Sequence, residues 1–253
     1  MTDLADVSMI CADTTRSRAY VQNMTRAGVR PAHVLVLSRA DSALPGQGGG
    51  AVSDAPGQAE NDPLWRDAHF DPNTALDDDL AALGAPVTRI DAVNVNDDAV
   101  VAALAALPGD VAIYSGFGGQ ILRAPVLSAG KRMLHVHGGY LPDFRGSTTN
   151  YYSLIAEGTI GASAIFLTAE IDAGPVLMRR RFPAPPDRTR IDHLHDGAAR
   201  ARVLCDVLAW HAREGGWPDD AGGHEGAAQT YYVVHPVLKH LAVFGNQTGK
   251  GVR

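Results

Sequence analysis

At 253 residues the chain fits one α/β domain, and an assembly of several domains is not expected. Hydrophobic residues make up 45% and charged residues 20%, which excludes global disorder. The balance of 22 basic against 28 acidic residues, net −6, argues against a large electrostatic footprint for nucleic acid or an anionic membrane.

The N-terminal MTDLADVSMI has no basic segment or long apolar run, and no stretch nears the roughly 18 apolar residues of a spanning helix. Cys11 and Cys205 show no metal or disulfide spacing, so a soluble protein of the reducing cytoplasm is expected. Residues 7–12, VSMICA, read as a strand. The spacing of Tyr20, Val21, Met24 and Ala27 predicts a helix closed by Gly28, and HVLVL at 33–37 a second strand. This β-α-β unit implies a parallel sheet. Residues 41–73, rich in Gly, Pro and Asp, predict a long flexible loop, which reads as a plain insertion rather than a catalytic lid.

Alternation resumes with a helix at 77–83, a strand at 86–91, a helix at 97–107 and a strand at 110–114. Gly116, Gly118 and Gly119 follow that strand, where open α/β sheets bind ligands. Another strand at 132–136 runs into His135 and His137. Two residues apart on an extended segment, these side chains point the same way. Gly138-Gly139-Tyr140-Leu141-Pro142-Asp143-Phe144-Arg145-Gly146 then breaks the strand. Beyond the apolar segment 164–167, Asp172 stands in the loop Ile171-Asp172-Ala173-Gly174-Pro175. Two imidazoles and a carboxylate at strand ends form an acid/base set. Zinc or iron ligation by the same residues weighs less, because no third histidine is tied to them by spacing.

Residues 134–177 resemble the catalytic region of the folate-dependent formyltransferases, the family of glycinamide ribonucleotide, methionyl-tRNA and sugar N-formyltransferases. The likeness runs through His135-Val136-His137-Gly138-Gly139-Tyr140-Leu141-Pro142, Arg145-Gly146, Gly161 to Ile165, and Ile171 to Val176, with eleven residues from Gly161 to Asp172. Upstream, Gln120-Ile121-Leu122 resembles a family turn. His135 stands where the family has a catalytic Asn and Ile165 where it has a second motif histidine. The H-x-H form with Gly146 to Leu154 is similar to a less familiar branch.

The resemblance implies a doubly wound, mostly parallel, Rossmann-type sheet in one catalytic domain over 1–253; the flexible loop 41–73, which does not match the family, and a C-terminal helical extension 187–253 are read from the residues themselves. It implies N10-formyltetrahydrofolate as co-substrate, no metal, and an amine acceptor such as an amino sugar, an amino acid or a biosynthetic intermediate. His137 would be the general acid/base, Asp172 its orienting carboxylate, and His135 the donor that polarises the formyl oxygen. As the two imidazoles are coupled, at most one is expected to be charged near neutrality. Gly116, Gly118, Gly119, Ile121, Leu122, Ile171 and Gly174 would contact the folate.

Tyr140 would pack or bind. Arg145 would hold an acidic group of the acceptor or pair with a local acid such as Asp143, and Arg179-Arg180-Arg181 reads as a solvated edge. The alternatives are a formyltetrahydrofolate hydrolase on the same scaffold and a non-catalytic folate- or metabolite-binding module. The reading names no membrane or nucleic-acid partner and leaves oligomeric state, a homodimer included, open. Toward the C-terminus, residues 191–213 predict an amphipathic helix, with Asp187 and Thr189 near its start, and 231–240 a strand or turn and a short helix.

Overall fold

The computed structural model describes residues 1–38, 62–219 and 229–245. Its strands are β1 (Thr2–Ala12), β2 (Val29–Ser38), β3 (Val87–Asp91), β4 (Val111–Ser115), β5 (Arg132–His137), β6 (Arg145–Gly146), β7 (Thr159–Phe166), β8 (Val176–Pro183) and β9 (Thr230–Tyr231). Its helices are α1 (Thr15–Ala27), α2 (Pro63–Ala68), α3 (Leu76–Leu83), α4 (Asp98–Ala106), α5 (Ala124–Leu127), α6 (Thr149–Ala156), α7 (Asp196–Glu214) and α8 (Pro236–Phe244).

Seven strands form one sheet in the order β3-β2-β1-β4-β5-β7-β8, while β6 and β9 pair separately. The first five are parallel, and β7 and β8 join in antiparallel pairings. The chain thus winds outward from β1 in one direction and returns to its other side at β4. This reversal opens a crevice at the strands' carboxyl ends. The doubly wound, mostly parallel expectation is met.

Alternation along the strands explains the layering, because successive side chains point to opposite faces. Val7, Met9, Cys11, Val111, Ile113, Leu134 and Val136 are buried with α1, α3 and α7. Ile10, Ala12, Leu35, Leu37, Ala112, Tyr114 and Met133 form the other layer with Val100 and Leu104 of α4 and Val126 of α5. Helix α1 starts where the Thr14 side chain accepts a hydrogen bond from Ser17 N–H, and stops at Gly28 in the left-handed region, φ 69°. Both ends follow capping chemistry legible in the sequence.

Several boundaries differ from expectation. The loop expected over 41–73 lies outside the described residues as far as 61, and its remainder contains α2. That helix starts where the Asp62 carboxylate accepts from Leu64 and Trp65 N–H ahead of Pro63. The helix expected over 191–213 begins as a 3₁₀ turn at Arg188–Arg190 and a π turn at Ile191–His195 before settling into α7. Helices α5 and α6 were not anticipated. No helix among the described residues is long and apolar enough to cross a membrane.

Candidate active site

Strand β5 ends in His137, and β7 runs antiparallel beside it with Ser163 opposite His137 and Ile165 opposite His135. The Ser163 hydroxyl donates to Gly139 C=O at 2.8 Å and accepts from Leu141 N–H at 3.0 Å, tying down the loop that leaves β5. That loop turns tightly enough for the Phe144 carbonyl to come back against His137. A Cβ on Gly139 would collide with the Phe144 carbonyl, His137 Nε2 and Thr149 Oγ1, and one on Gly138 with Arg200 and Asp196. The two glycines are what let the backbone pass.

His137 is buried, with Nε2 2.8 Å from Phe144 O and Nδ1 3.4 Å from Asp172 Oδ2. A carbonyl oxygen only accepts, so the hydrogen bond to Phe144 puts a proton on Nε2. In the neutral ring Nδ1 is therefore a bare lone pair beside a carboxylate. Proton uptake occurs there, converting a repulsive contact into a charge-assisted one. Burial is the largest influence and holds the His137 pKa below the ordinary histidine value. Asp172 pulls upward against it, Arg200 pushes further down, and the Phe144 carbonyl favours the charged form. The result is a neutral base whose conjugate acid has a counter-charge already in place.

Asp172 has φ 49°, a left-handed conformation that Asp tolerates better than most residues, and its Oδ2 accepts from Gly146 N–H at 3.1 Å. His135 precedes His137 by one alternation and lies beside the Tyr114 ring, with centroids 6.0 Å apart. Among the described residues its Nδ1 is buried without a hydrogen-bond partner, although the Tyr114 backbone favours the charged form of the ring. Burial first, then the positive charges of Arg16 and Arg200, pushes its pKa well below the ordinary value, so the ring is neutral near pH 7 and carries one N–H.

The sequence reading missed a polar network behind this pair. Arg200 of α7 donates to Val136 C=O at 2.8 Å and to Asp196 at 2.7 Å, Asn150 Nδ2 donates to Asp196 at 3.0 Å, and Gly161 N–H donates to Asn150 Oδ1 at 2.9 Å. Arg16 was missed as well. It donates through Nε to Ser115 Oγ at 3.2 Å and through Nη2 to Gly116 C=O at 2.5 Å. Asn150 lies within Gly146 to Leu154, where no local pattern marks its role, and Arg16, Asp196 and Arg200 have no local signal.

The remaining named positions divide. A Cβ on Gly116 would strike the Tyr114 side chain, one on Gly174 would strike the Phe166 carbonyl, and Leu122 packs on the α4–α5 layer. Gly118 and Gly119 face open space, and Ile121 and Ile171 leave 64% and 51% of their surface exposed. The Tyr140 ring lies under the guanidinium groups of Arg181 at 3.7 Å and Arg179 at 4.8 Å. Arg145 pairs with Glu170 at 2.8 Å and donates to Ile171 C=O at 2.6 Å. Its local acid is thus Glu170, since Asp143 pairs with Arg181. Arg180 and Arg181 are held by Asp206 and Glu157 at an exposed edge. Ile165 is buried with Leu141 and Val176. Among the described residues no group of three or more His, Cys, Asp or Glu could hold a metal ion.

Fold and site together define a doubly wound α/β protein with a buried His–Asp pair at a strand end. The family model described as Formyl transferase matches residues 10–201. Methionyl-tRNA formyltransferase of Roseiflexus sp. (strain RS-1) is 34% identical over 134 residues, which is 52% of this chain and 40% of that protein. The chain thus spans about two fifths of that relative's length. Among solved structures, glycinamide ribonucleotide transformylase 1 from Symbiobacterium toebii aligns with a TM-score of 0.54 at 20% identity, over 85% of this chain and 89% of that one. A sugar N-formyltransferase from a Shewanella species aligns with a TM-score of 0.54 at 16% identity, over 94% and 86%. These two show the shared fold. The chain belongs to the formyl transferase family.

Proposed function

We propose that the chain transfers a formyl group from N10-formyltetrahydrofolate to the amine of a small molecule. The observation that carries the reading is the fixed state of His137: Nε2–H committed to Phe144 O, Nδ1 left as a base beside Asp172 Oδ2. The bound donor supplies an electrophilic carbonyl carbon and a nitrogen leaving group. His137 Nδ1 takes the proton shed by the attacking amine and returns it to the departing nitrogen, so the products are a formamide and tetrahydrofolate. Asp172 stabilises the imidazolium held between those two transfers. His135, neutral and carrying one ring N–H, donates to the formyl oxygen as it gains charge, the part an Asn amide plays in the family's motif.

The site suits the donor: Gly118 and Gly119 leave open space beyond β4, and exposed Ile121 and Ile171 offer apolar surface to a flat ring. Gly116, Leu122 and Gly174 would complete the donor site on this reading. Arg145, whose partner Glu170 is 71% exposed, can exchange that partner for an acidic group of the acceptor at little cost, with Tyr140 beside it. A small acceptor rather than a nucleic acid fits the net charge of −6.

The test is tetrahydrofolate release from N10-formyltetrahydrofolate with and without candidate amines, for the wild type and His137→Ala. Amine-dependent release that falls about 10²–10⁴-fold in the variant supports the proposal. Release independent of any amine would replace transfer with hydrolysis, and donor binding without turnover across the amine pool would replace it with a binding module.

A further inference from the structure

The two groups that fix the His137–Asp172 pair, Phe144 C=O and Gly146 N–H, lie on one short loop between β5 and α6. Ser163 of β7 and Arg181 of β8 hold the first part of this loop through Gly139, Leu141 and Asp143. Its second part, Phe144 to Ser147, is held by a C-terminal segment outside the residues matched by the family model. Strand β9 pairs in parallel with β6, placing Tyr231 against Gly146, and Ser147 N–H donates to Tyr231 C=O at 2.9 Å. The Tyr231 ring stacks on Phe144, with centroids 5.6 Å apart and planes 25° apart, and lies 4.6 Å from the Tyr152 ring on α6.

The approach is close enough to require Gly146, which has φ 107° and where a Cβ would run into the Tyr231 carbonyl. Further bonds keep the segment seated. Val234 N–H donates to Thr148 Oγ1 at 2.8 Å, Tyr152 Oη donates to Tyr232 C=O at 3.1 Å, and beyond them Lys239 of α8 pairs with Asp192 at 2.6 Å.

We propose that Tyr231 is a positioning residue for the acid/base pair: its ring seats Phe144, its backbone seats Gly146, and so it fixes both the tautomer of His137 and the orientation of Asp172. This rests on the acid/base reading of His137. The Tyr231 hydroxyl has no hydrogen bond among the described residues, so ring and backbone do the positioning and the hydroxyl is dispensable. The segment thereby acts on the site without touching substrate. A loss of about 1 Å in the placement of such a pair costs on the order of 10²-fold in rate.

The experiment compares the full-length wild type, Tyr231→Phe, Tyr231→Ala and Thr148→Val, the last loosening the same segment by removing the hydroxyl that accepts from Val234. Two readouts are taken: turnover with an amine acceptor, and the imidazole nitrogen and N–H resonances of His137 by NMR. The expected result is a protected Nε2–H signal in the wild type and Tyr231→Phe. In Tyr231→Ala that proton exchanges at least about 10-fold faster, while kcat falls about 10- to 100-fold and the donor KM changes less than about threefold. Thr148→Val falls between them, and it carries the test if Tyr231→Ala does not fold.

Unchanged His137 resonances in both loosening variants would overturn the proposal whatever happens to activity, as would equal damage from Tyr231→Phe and Tyr231→Ala. A wild type without formyl transfer would sink the functional reading instead, and the NMR comparison would still decide whether the segment positions His137.

Discussion

Substituting Asp172 by Asn removes the charge beside His137 Nδ1 while keeping the side chain's size and its capacity to accept from Gly146 N–H. The two atoms stand 3.4 Å apart, with both side chains at most one tenth exposed. Opposite charges near that separation attract by about 4 kcal/mol at an effective dielectric of about 20. The Asn dipole recovers part of this, leaving a loss on the order of 2–3 kcal/mol in the stability of the imidazolium, or roughly 30- to 150-fold in kcat.

The pH dependence has a definite sign. Burial already holds the His137 pKa below its ordinary value, and Asp172 is the leading influence raising it. On the proposed mechanism activity needs the neutral ring and is lost as pH falls through that pKa. In Asp172→Asn the pKa drops further, so the acid limb moves to lower pH even as the plateau falls. The assay is initial-rate tetrahydrofolate release over about pH 5 to 9, with NMR titration of His137 alongside. A variant with the wild-type plateau, or one whose acid limb moves to higher pH, would refute the argument that Asp172 stabilises a proton on Nδ1.

His135→Asn restores an amide donor and is expected to stay within about 10-fold of the wild type, whereas His135→Ala loses about 10²–10³-fold in kcat; equal losses would show that donation is not the role of His135. Gly139→Ala drives a methyl into Phe144 O and His137 Nε2, so kcat should fall at least about 10-fold along with the protected Nε2–H signal, and wild-type kinetics would count against the geometry. Because the native pKa values of His135 and His137 are both depressed, the unfolded chain binds more protons below its histidine pKa of about 6.5. Stability therefore declines as pH falls below that point, and urea titrations at about pH 5.5 and 7.5 should show a shallower decline in His135→Asn. Burial pushes the Cys11 and Cys205 thiols up to about 12, so native protein should resist thiol reagents and unfolded protein react at both, as ultraviolet assay of a thiol reagent will show.

What was legible in the sequence and what was not divides by the range of the interactions. The buried strands announce themselves as apolar runs such as DVAIY, and the end of α1 by Gly28, because these depend on neighbours in the chain. His137 and Asp172 were found at a separation of 35 residues only because each lies in a local pattern: the glycines that let a strand stop abruptly and the Asp-x-Gly turn. Helix α2 had a signal in Asp62-Pro63, but six residues of helix are masked by the Gly- and Asp-rich stretch before them. Helix α6 begins after Thr148 at φ 51°, a left-handed start that β-branched threonine disfavours and that the bonds from the C-terminal segment hold in place. The ligation of Val136 by Arg200, 64 residues away, has no local trace at all.

The departures from the family's motif are coupled in the structure. Where the family has a catalytic Asn the chain has His135, and two glycines follow His137. Gly139 admits the Phe144 carbonyl to His137 Nε2, and Gly138 makes room for Arg200 and Asp196. Arg200 in turn is among the charges that keep His135 neutral. A second imidazole so close to His137 would compete for the same proton if it could be charged. With burial and two arginines suppressing its basicity, His135 on the proposed reading serves as an N–H donor, and Asp172 stabilises the one imidazolium that reading requires. Gly138 and Arg200 are thus linked by space and Arg200 and His135 by charge, so replacing Arg200 removes one of the influences that lower the His135 pKa.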